Sequence, residues 1–469
     1  MYFDQFYLAC LAHASYMIGS EGIATVIDPQ RDVEIYIEAA RSQGLRIQHV
    51  IETHLHADFV SGHRELAART GATIHVGEKA GALYPHQDAR DGEEVRFGRV
   101  VLRFLETPGH TLESICILAT DLDRSPEPFA VFTGDTLFIG DVGRPDLSPD
   151  HTPQQLAGLM FDSLHEKLLK LPDSVEVYPA HGAGSLCGRN ISQERSSTIG
   201  KERKTNYALK PMSRDEFIEL LTSELPPRPE YFLRDAEINR GGAAPIQNLA
   251  PLKPLTPQEV QQAQTDGAVV LDTRPATLFG AAHVPGAIQI ALTGQFASWA
   301  GIVIGLDQPI VIVAEEPQQA DESRVRLSRV GIEKVVGYLD GGMLAWDKAG
   351  LKHEQVPQIS VLDLHQQILE HPDSIEILDV RKKLEWEKGN IEGARLKPLD
   401  RLRTMLADLD PHKPTAVHCQ GGYRSSIATS LLQRAGFTNV MNVTGGFDAW
   451  KAQHLPIVDP AQPAHSTAG

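Results

Sequence analysis

Two short stretches of this sequence carry residue types that can do chemistry. The first is Thr53-His54-Leu55-His56-Ala57-Asp58-Phe59, which follows a largely apolar run from Ile47 to Ile51. That run reads as a buried strand. Imidazoles two apart in extended chain point the same way, so both can reach one metal ion. The second is Cys419-Gln420-Gly421-Gly422-Tyr423-Arg424-Ser425, between the strand-like Ala416-Val417-His418 and a helical stretch from Ser426. Backbone amides and a helix N-terminus converge on a sulfur placed there and favour its thiolate form. Arg424 would close the cradle. An inert buried Cys would leave the Gly pair and Arg424 unexplained.

The elements that must position the first stretch are legible in order. Ala14–Ile18 and Ala24–Asp28 form a hairpin about Gly19-Ser20-Glu21-Gly22. Val33–Gln43 has helical spacing, and Gly62–Thr70 should be a second helix ending near Gly71. Short strands are expected at Ala72–Val76, Arg99–Glu106, Ile115–Ala119, Phe129–Thr133 and Val175–Tyr178. His54, His56, Asp58, His110, Asp135 and His181 all follow strand-like runs. A lone His after a strand is an ordinary loop residue. Six ligand-type residues after four strands imply one layered sheet presenting a metal site along an edge.

Composition bounds the alternatives. The chain has 469 residues, 42% hydrophobic and 22% charged, with net charge −17. Real cores and two to four domains fit this length. The acidic balance argues against nucleic acid or an anionic membrane as the main partner. Four cysteines (Cys10, Cys116, Cys187, Cys419) are too few for a disulfide framework or an all-Cys zinc site. No basic leader and no long apolar span stand out, so a cytoplasmic protein is expected.

The N-terminal pieces resemble the metallo-β-lactamase superfamily over roughly residues 1–250. The matching motifs are that of His54, Thr107-Pro108-Gly109-His110, Thr133-Gly134-Asp135, Gly143-Arg144-Pro145-Asp146 and Pro179-Ala180-His181. The resemblance implies an αββα sandwich, in the branch of the glyoxalase II enzymes and persulfide dioxygenases. Gly188–Arg203 reads as a helical connection. Pro226–Pro254, rich in Pro, Gly and Ala, reads as an extended tail and linker.

A repeat follows. Val269-Val270-Leu271-Asp272-Thr273-Arg274 answers Ile375-Glu376-Ile377-Leu378-Asp379-Val380-Arg381, and Asp340-Gly341-Gly342-Met343-Leu344-Ala345-Trp346 answers Thr444-Gly445-Gly446-Phe447-Asp448-Ala449-Trp450. Each unit alternates strands and helices, as a small parallel α/β domain does. Both resemble rhodanese domains. Four residues separate Cys419 from Arg424, as in sulfurtransferases, whereas the wider phosphatase cradle has five. Cys419 is therefore read as a persulfide-carrying nucleophile, with Gln420, Gly421, Gly422 and Tyr423 lining its substrate. In the first unit Ala314 stands where Cys419 stands, and Gln319 stands for Arg424. That unit reads as structural. The expected fold class is multidomain α/β. Residues 1–250 form the sandwich and its extension, 254–352 an inactive rhodanese-like domain with a parallel sheet, and 358–458 an active one. Pro460–Gly469 reads as a frayed tail.

The resemblance also implies a metal count. Glyoxalase II-like hydrolases hold two metal ions and place a His directly after the motif Asp. Here that position is Phe59. The remaining set, His54, His110 and Asp135, matches the facial triad of persulfide dioxygenases and implies one non-haem Fe²⁺ with open positions for substrate and O₂. His56, Asp58 and His181 then orient ligands or water. Arg144 matches a residue that holds the thiol carrier's carboxylate. Cys187 matches a Cys beside the iron in similar fused enzymes, where it can accept sulfane sulfur. The chain thus resembles a persulfide dioxygenase–rhodanese fusion. That implies a low-molecular-weight thiol persulfide and O₂ as substrates, sulfite and thiol as products, and thiosulfate through Cys419. A homodimer or homotetramer follows by family analogy. The alternatives are a two-metal thioester hydrolase of glyoxalase II type and a non-catalytic sulfur carrier.

Overall fold

A computed structural model describes residues 1–223 and 225–458, so the Pro460–Gly469 tail lies outside the described residues. The chain divides into two compact units. The first comprises Met1–Leu249 and takes in Val325–Glu333; the second holds the remainder.

The first unit is built on two six-stranded sheets. One contains β1 (Tyr2–Leu8), β2 (His13–Ser20), β3 (Ile23–Ile27), β4 (Arg46–Glu52), β5 (Thr73–Gly77) and β6 (Gln87–Ala89), in that order across the sheet. The other runs β12-β11-β10-β9-β8-β7, from β7 (Glu94–Phe97), β8 (Val100–Glu106), β9 (Ile115–Asp121), β10 (Ala130–Gly134), β11 (Glu176–Pro179) and β12 (Ser197–Thr198). Successive strand residues face opposite ways, and the cores show it. Ile27, Ile51 and Phe132 point into the space between the sheets with Tyr16, Leu102, Phe104 and Ile117. Their neighbours Val26, Val50 and Val131 point outward. The outward residues are covered by helices. Tyr36 and Ala40 of α1 (Glu34–Ser42), with Leu66 of α2 (His63–Thr70), cover the first sheet. Met160 and Leu164 of α3 (Pro153–Glu166) cover the second. The expected αββα sandwich is the observed one.

Two segments differ from expectation. In 188–203 the only helical part begins at α4 (Ile199–Thr205). The Asp141 carboxylate accepts the amides of Arg189 and Asn190, so these bond a side chain rather than a helical turn. The helix α5 (Arg214–Thr222) follows, and its Phe217 and Leu221 pack against α3. The presumed linker folds in part as α6 (Tyr231–Gly241), burying Tyr231, Phe232, Asp235 and Asn239.

The second unit holds two sheets of the same topology, every pairing parallel. The first contains β13 (Pro254–Leu255), β14 (Val269–Asp272), β15 (Ile288–Gln289), β16 (Ile310–Val313) and β17 (Val335–Leu339), ordered β13-β17-β16-β14-β15. Its helices are α7 (Pro257–Thr265), α8 (Ala276–Ala281), α9 (Phe296–Val303), α10 (Pro317–Ser328) and α11 (Gly342–Lys348). The second contains β18 (Gln358–Ile359), β19 (Glu376–Asp379), β20 (Arg395–Leu396), β21 (Thr415–His418) and β22 (Val440–Val443), ordered β18-β22-β21-β19-β20. Its helices are α12 (Val361–Glu370), α13 (Lys383–Trp386), α14 (Tyr423–Arg434) and α15 (Gly446–Ala452). The sequence repeat is thus a repeat of fold.

Candidate metal centre and sulfur-carrying loop

His54 lies just beyond β4, His110 beyond β8 and Asp135 beyond β10. The three are brought together and fully buried. Asp135 Oδ2 lies 3.3 Å from His110 Nε2 and 3.8 Å from His54 Nε2. Their partners settle the tautomers. His110 Nδ1 is 2.9 Å from the Arg144 carbonyl, which can only accept, so Nδ1 carries the proton. Thr53 Oγ1 donates to Asp28 Oδ2 at 2.8 Å, so at 3.0 Å from His54 Nδ1 it must accept there. Both Nε2 atoms therefore present lone pairs toward a carboxylate oxygen. Among the described residues none of these three atoms has a hydrogen-bond partner. Burial, with the neighbouring imidazoles, holds His54 well below the ordinary imidazole range, and burial lowers His110 despite Asp135. Three acceptors with no proton between them fit a cation, and two nitrogens with one oxygen suit a borderline transition metal.

Glycine is required beside this cluster. A Cβ on Gly143 would come within 2.7 Å of His110 Nδ1 and 2.1 Å of the Asp135 carbonyl. The chain passes so close because the next residue, Arg144, supplies the carbonyl that fixes His110. The Arg144 guanidinium is directed elsewhere. It donates two hydrogen bonds to the Asp146 carboxylate at 2.7 and 2.9 Å and donates to the carbonyls of Leu186 and Pro226. Arg144 is buried, its charge matched within the fold.

His181 and Asp58 sit beside the triad in a different state. His181 Nδ1 is 2.7 Å from Asp135 Oδ1 and its Nε2 is 2.9 Å from Asp58 Oδ2. Burial would lower this imidazole, but the two carboxylates outweigh burial and hold it well above the ordinary range. Asp58 falls to about 2, because His181 more than offsets its burial. His181 thus fixes Asp135 through one oxygen and leaves the other for the triad. His56 is turned away. Its Nε2 lies 3.1 Å from Asp28 Oδ1, and it clusters with Asp28 and Glu52 rather than with the triad. Phe59 is fully buried, its ring 4.4 Å from that of His56 and 4.1 Å from that of His13. Cys187 is also brought in, its ligand atom grouped with those of Asp58 and His181 within 4.8 Å. Burial, reinforced by Asp58 and Asp135, pushes its thiol well up.

One residue that shapes this site has no signature in the sequence. Asn239 of α6 donates to the carbonyls of His56 at 2.7 Å and Phe59 at 2.8 Å, and accepts from the Ser61 amide. It pins the loop from which His54 projects. Thr53 and Asp28, which set the His54 tautomer, were equally unmarked.

In the second unit Cys419 is 1% exposed where β21 meets α14. The Gly422 amide donates to its Sγ at 3.1 Å and the Ser425 hydroxyl lies 3.6 Å away. Gly422 adopts φ +98°, a conformation that favours glycine. Arg424 flanks the loop, held by both oxygens of Glu385 at 2.7 and 2.6 Å. Gln420 bonds Asp448 and, at 3.4 Å, Arg381. In the first repeat the Gln319 side chain accepts the amides of Glu315 and Glu316, closing that loop with its own residue.

Comparison with known proteins follows these two sites. The metallo-beta-lactamase superfamily profile matches residues 8–181, and the rhodanese-like domain profile matches 256–349 and 361–453. The chain is 30% identical over 212 residues to the mitochondrial persulfide dioxygenase ETHE1 of Bos taurus, covering 44% of this chain and 74% of that protein. The chain belongs to the persulfide dioxygenase group of the metallo-β-lactamase superfamily, with two rhodanese-like domains behind it. A crystal structure of a metallo-beta-lactamase from Staphylococcus aureus subsp. aureus COL matches with TM-score 0.66 and 33% identity, covering 72% of this chain and 98% of that one. A hydroxyacylglutathione hydrolase of a Polaromonas species is 34% identical over 163 residues, covering 34% of this chain but only 57% of its own length. Membership of the dioxygenase group accords with a fold that assembles the triad and puts Phe59 against His56. No helix among the described residues is long and apolar enough to cross a membrane.

Proposed function

We propose that this chain oxidises a low-molecular-weight thiol persulfide, for example glutathione persulfide, with O₂, and passes sulfane sulfur through Cys419. One persulfide, one O₂ and one water give one thiol and one sulfurous acid, which ionises to sulfite. His54, His110 and Asp135 would hold Fe²⁺, which supplies the open positions where persulfide sulfur and O₂ meet. The carrying observation is the convergence of two Nε2 lone pairs and one carboxylate oxygen, with no proton among them, beside His181. Thr53 and the Arg144 carbonyl keep both histidines in the ligating tautomer, and His181 keeps Asp135 aimed. Phe59 excludes water from one wall. Cys187 lies beside Asp58 and His181, and its thiol would first have to give up its proton to take sulfane sulfur.

In the rhodanese-like domain the Cys419 thiolate attacks the outer sulfur of a thiol persulfide, displaces the carrier thiolate, which takes up a proton, and becomes a persulfide itself, with the loop amides of Gly421, Gly422 and Tyr423 receiving the developing charge. Transfer of that sulfur to sulfite gives thiosulfate. Tethering raises the effective concentration of one domain's product at the other. His110→Ala should abolish O₂ uptake on addition of glutathione persulfide; unchanged uptake would refute the iron-site reading. Cys419→Ser should abolish transfer from thiosulfate to cyanide while sparing O₂ uptake.

A second reading, a two-metal thioester hydrolase, draws on the hydroxyacylglutathione hydrolase relatives and on Asp58 and His181 lying beside Asp135. His181 lies between two carboxylates, its Nδ1 bonded to Asp135 Oδ1 and its Nε2 within ion-pair distance of Asp58 Oδ2, which favours the one-metal reading.

A further inference from the structure

The first rhodanese-like repeat has Ala314 in place of the nucleophile, yet its edge strand carries the helix that follows the nucleophile of the second. Tyr423, Ser430 and Arg434 are spaced seven and four residues apart on α14, so they share one face. Each bonds the backbone of the first repeat between Gly286 and Ala291. The Tyr423 hydroxyl donates to the Ala291 carbonyl at 2.9 Å, Ser430 Oγ accepts the Gln289 amide at 3.1 Å, and Arg434 donates to the Gly286 carbonyl. A strand edge exposes unpaired backbone groups. Here β15 is that edge, and α14 covers it.

The anchor nearest the sulfur matters most. The Cys419 loop is held on its N-terminal side by its own domain, where the amides of Phe447 and Asp448 donate to the carbonyls of Cys419 and Gln420 at 2.8 and 2.9 Å. On its C-terminal side it passes through Gly421 and Gly422. A Cβ on Gly421 would meet nothing within 4 Å, and Gly422 stands in the left-handed region. That backbone is soft. Tyr423 is the first side chain after it that can fix the loop, and the Gly422 amide that bonds Sγ is one residue away. Across the repeat boundary the Tyr423 ring rests on Gly294, where a Cβ would stand 3.3 Å from it.

We propose that the thiol-less repeat is a positioning module for the sulfur-carrying loop, and that Tyr423 is the positioning residue, its hydroxyl fixing the Gly422 amide on Cys419 through the Ala291 carbonyl. The proposal rests on Cys419 being the sulfur acceptor. The substrate meets the loop amides, while the Tyr423 side chain belongs to the brace.

The test uses the full chain with Tyr423→Phe, Ser430→Ala and Cys419→Ser. Thiosulfate-to-cyanide transfer is read as kcat and KM separately. Iodoacetamide alkylation of Cys419 is followed by peptide mass spectrometry. Tyr423→Phe keeps the ring on Gly294 and should lower kcat and the alkylation rate about five- to tenfold, with KM for thiosulfate within about twofold, the scale of one lost hydrogen bond. Ser430→Ala removes an anchor two helical turns from the sulfur and should lower Tm while leaving kcat within about twofold. If Tyr423→Phe transfers sulfur and alkylates at the wild-type rate while Cys419→Ser is inactive, the positioning proposal alone is overturned. If Cys419→Ser still transfers sulfur, the assignment of the nucleophile fails and the proposal falls with it. If Ser430→Ala lowers kcat as much as Tyr423→Phe does, general packing of α14 explains the effect and the specific role of Tyr423 is refuted.

Discussion

Two groups of ligand-type residues lie in the first unit, and they differ in how far their own side chains pair with one another. In the triad, His54 Nε2, His110 Nε2 and Asp135 Oδ2 are all acceptors without a hydrogen-bond partner among the described residues. In the neighbouring group, His181 already stands between the carboxylates of Asp58 and Asp135. The triad presents three acceptors that could take a cation, whereas His181 lies between two carboxylates of the chain itself. Phe59 adds to the contrast with a buried apolar ring 4.4 Å from that of His56.

The most forceful way to break this contrast is Phe59→His. Returning an imidazole to the second group should raise zinc uptake from about one to about two ions per chain in excess metal, read by elemental analysis, because a second ion can then displace the His181 proton. If Phe59→His still bound one ion, the residue at 59 would not set the count. His181→Gln attacks the contrast from the other side. It removes the charge that aims Asp135 and should weaken iron affinity about 10- to 100-fold by competition with a chelator. Unchanged affinity would mean Asp135 is aimed by something else.

Asn239→Ala tests whether the loop's shape is built in before metal arrives. It strips partners from the His56 and Phe59 carbonyls and the Ser61 amide, and should destabilise the metal-free chain by about 2 kcal/mol in a denaturant titration. No loss would show that the loop holds itself. The smallest effect concerns His75 on β5, remote from both groups. Burial, with His49, lowers this imidazole to about 4. It stays neutral when folded but protonates below about pH 6.5 when unfolded, so its contribution is present above that value and lost as pH falls. Between pH 7 and 5.5 the wild type should lose about 1 kcal/mol more stability than His75→Asn. Equal slopes would place the His75 titration at its ordinary value.

Much of this was legible in the sequence because strand ends carry the chemistry. His54, His110 and Asp135 each follow an apolar run whose alternation survives in the fold, and the two rhodanese-like repeats differ at the one loop that matters, Cys419 against Ala314. The rest depends on contacts that no local pattern encodes. Residues Tyr2–Leu8 form a half-buried edge strand with no clean alternation of burial. Asn239 looked like linker sequence because α6 follows a Pro-rich stretch and ends in glycines. The sequence does not show that Asp146 folds back onto the Arg144 guanidinium. Glu385 holds Arg424 from 39 residues away, a pairing visible only once β19 and β21 lie side by side.

In the proposed reading the triad takes one iron and works on persulfide sulfur. Elemental analysis of the purified chain, run with O₂ uptake on glutathione persulfide and hydrolysis of S-lactoylglutathione, tests it most directly. The account predicts about one iron per chain, rapid O₂ uptake and no thioester hydrolysis. Two zinc ions per chain with hydrolysis of S-lactoylglutathione and no O₂ uptake would contradict it.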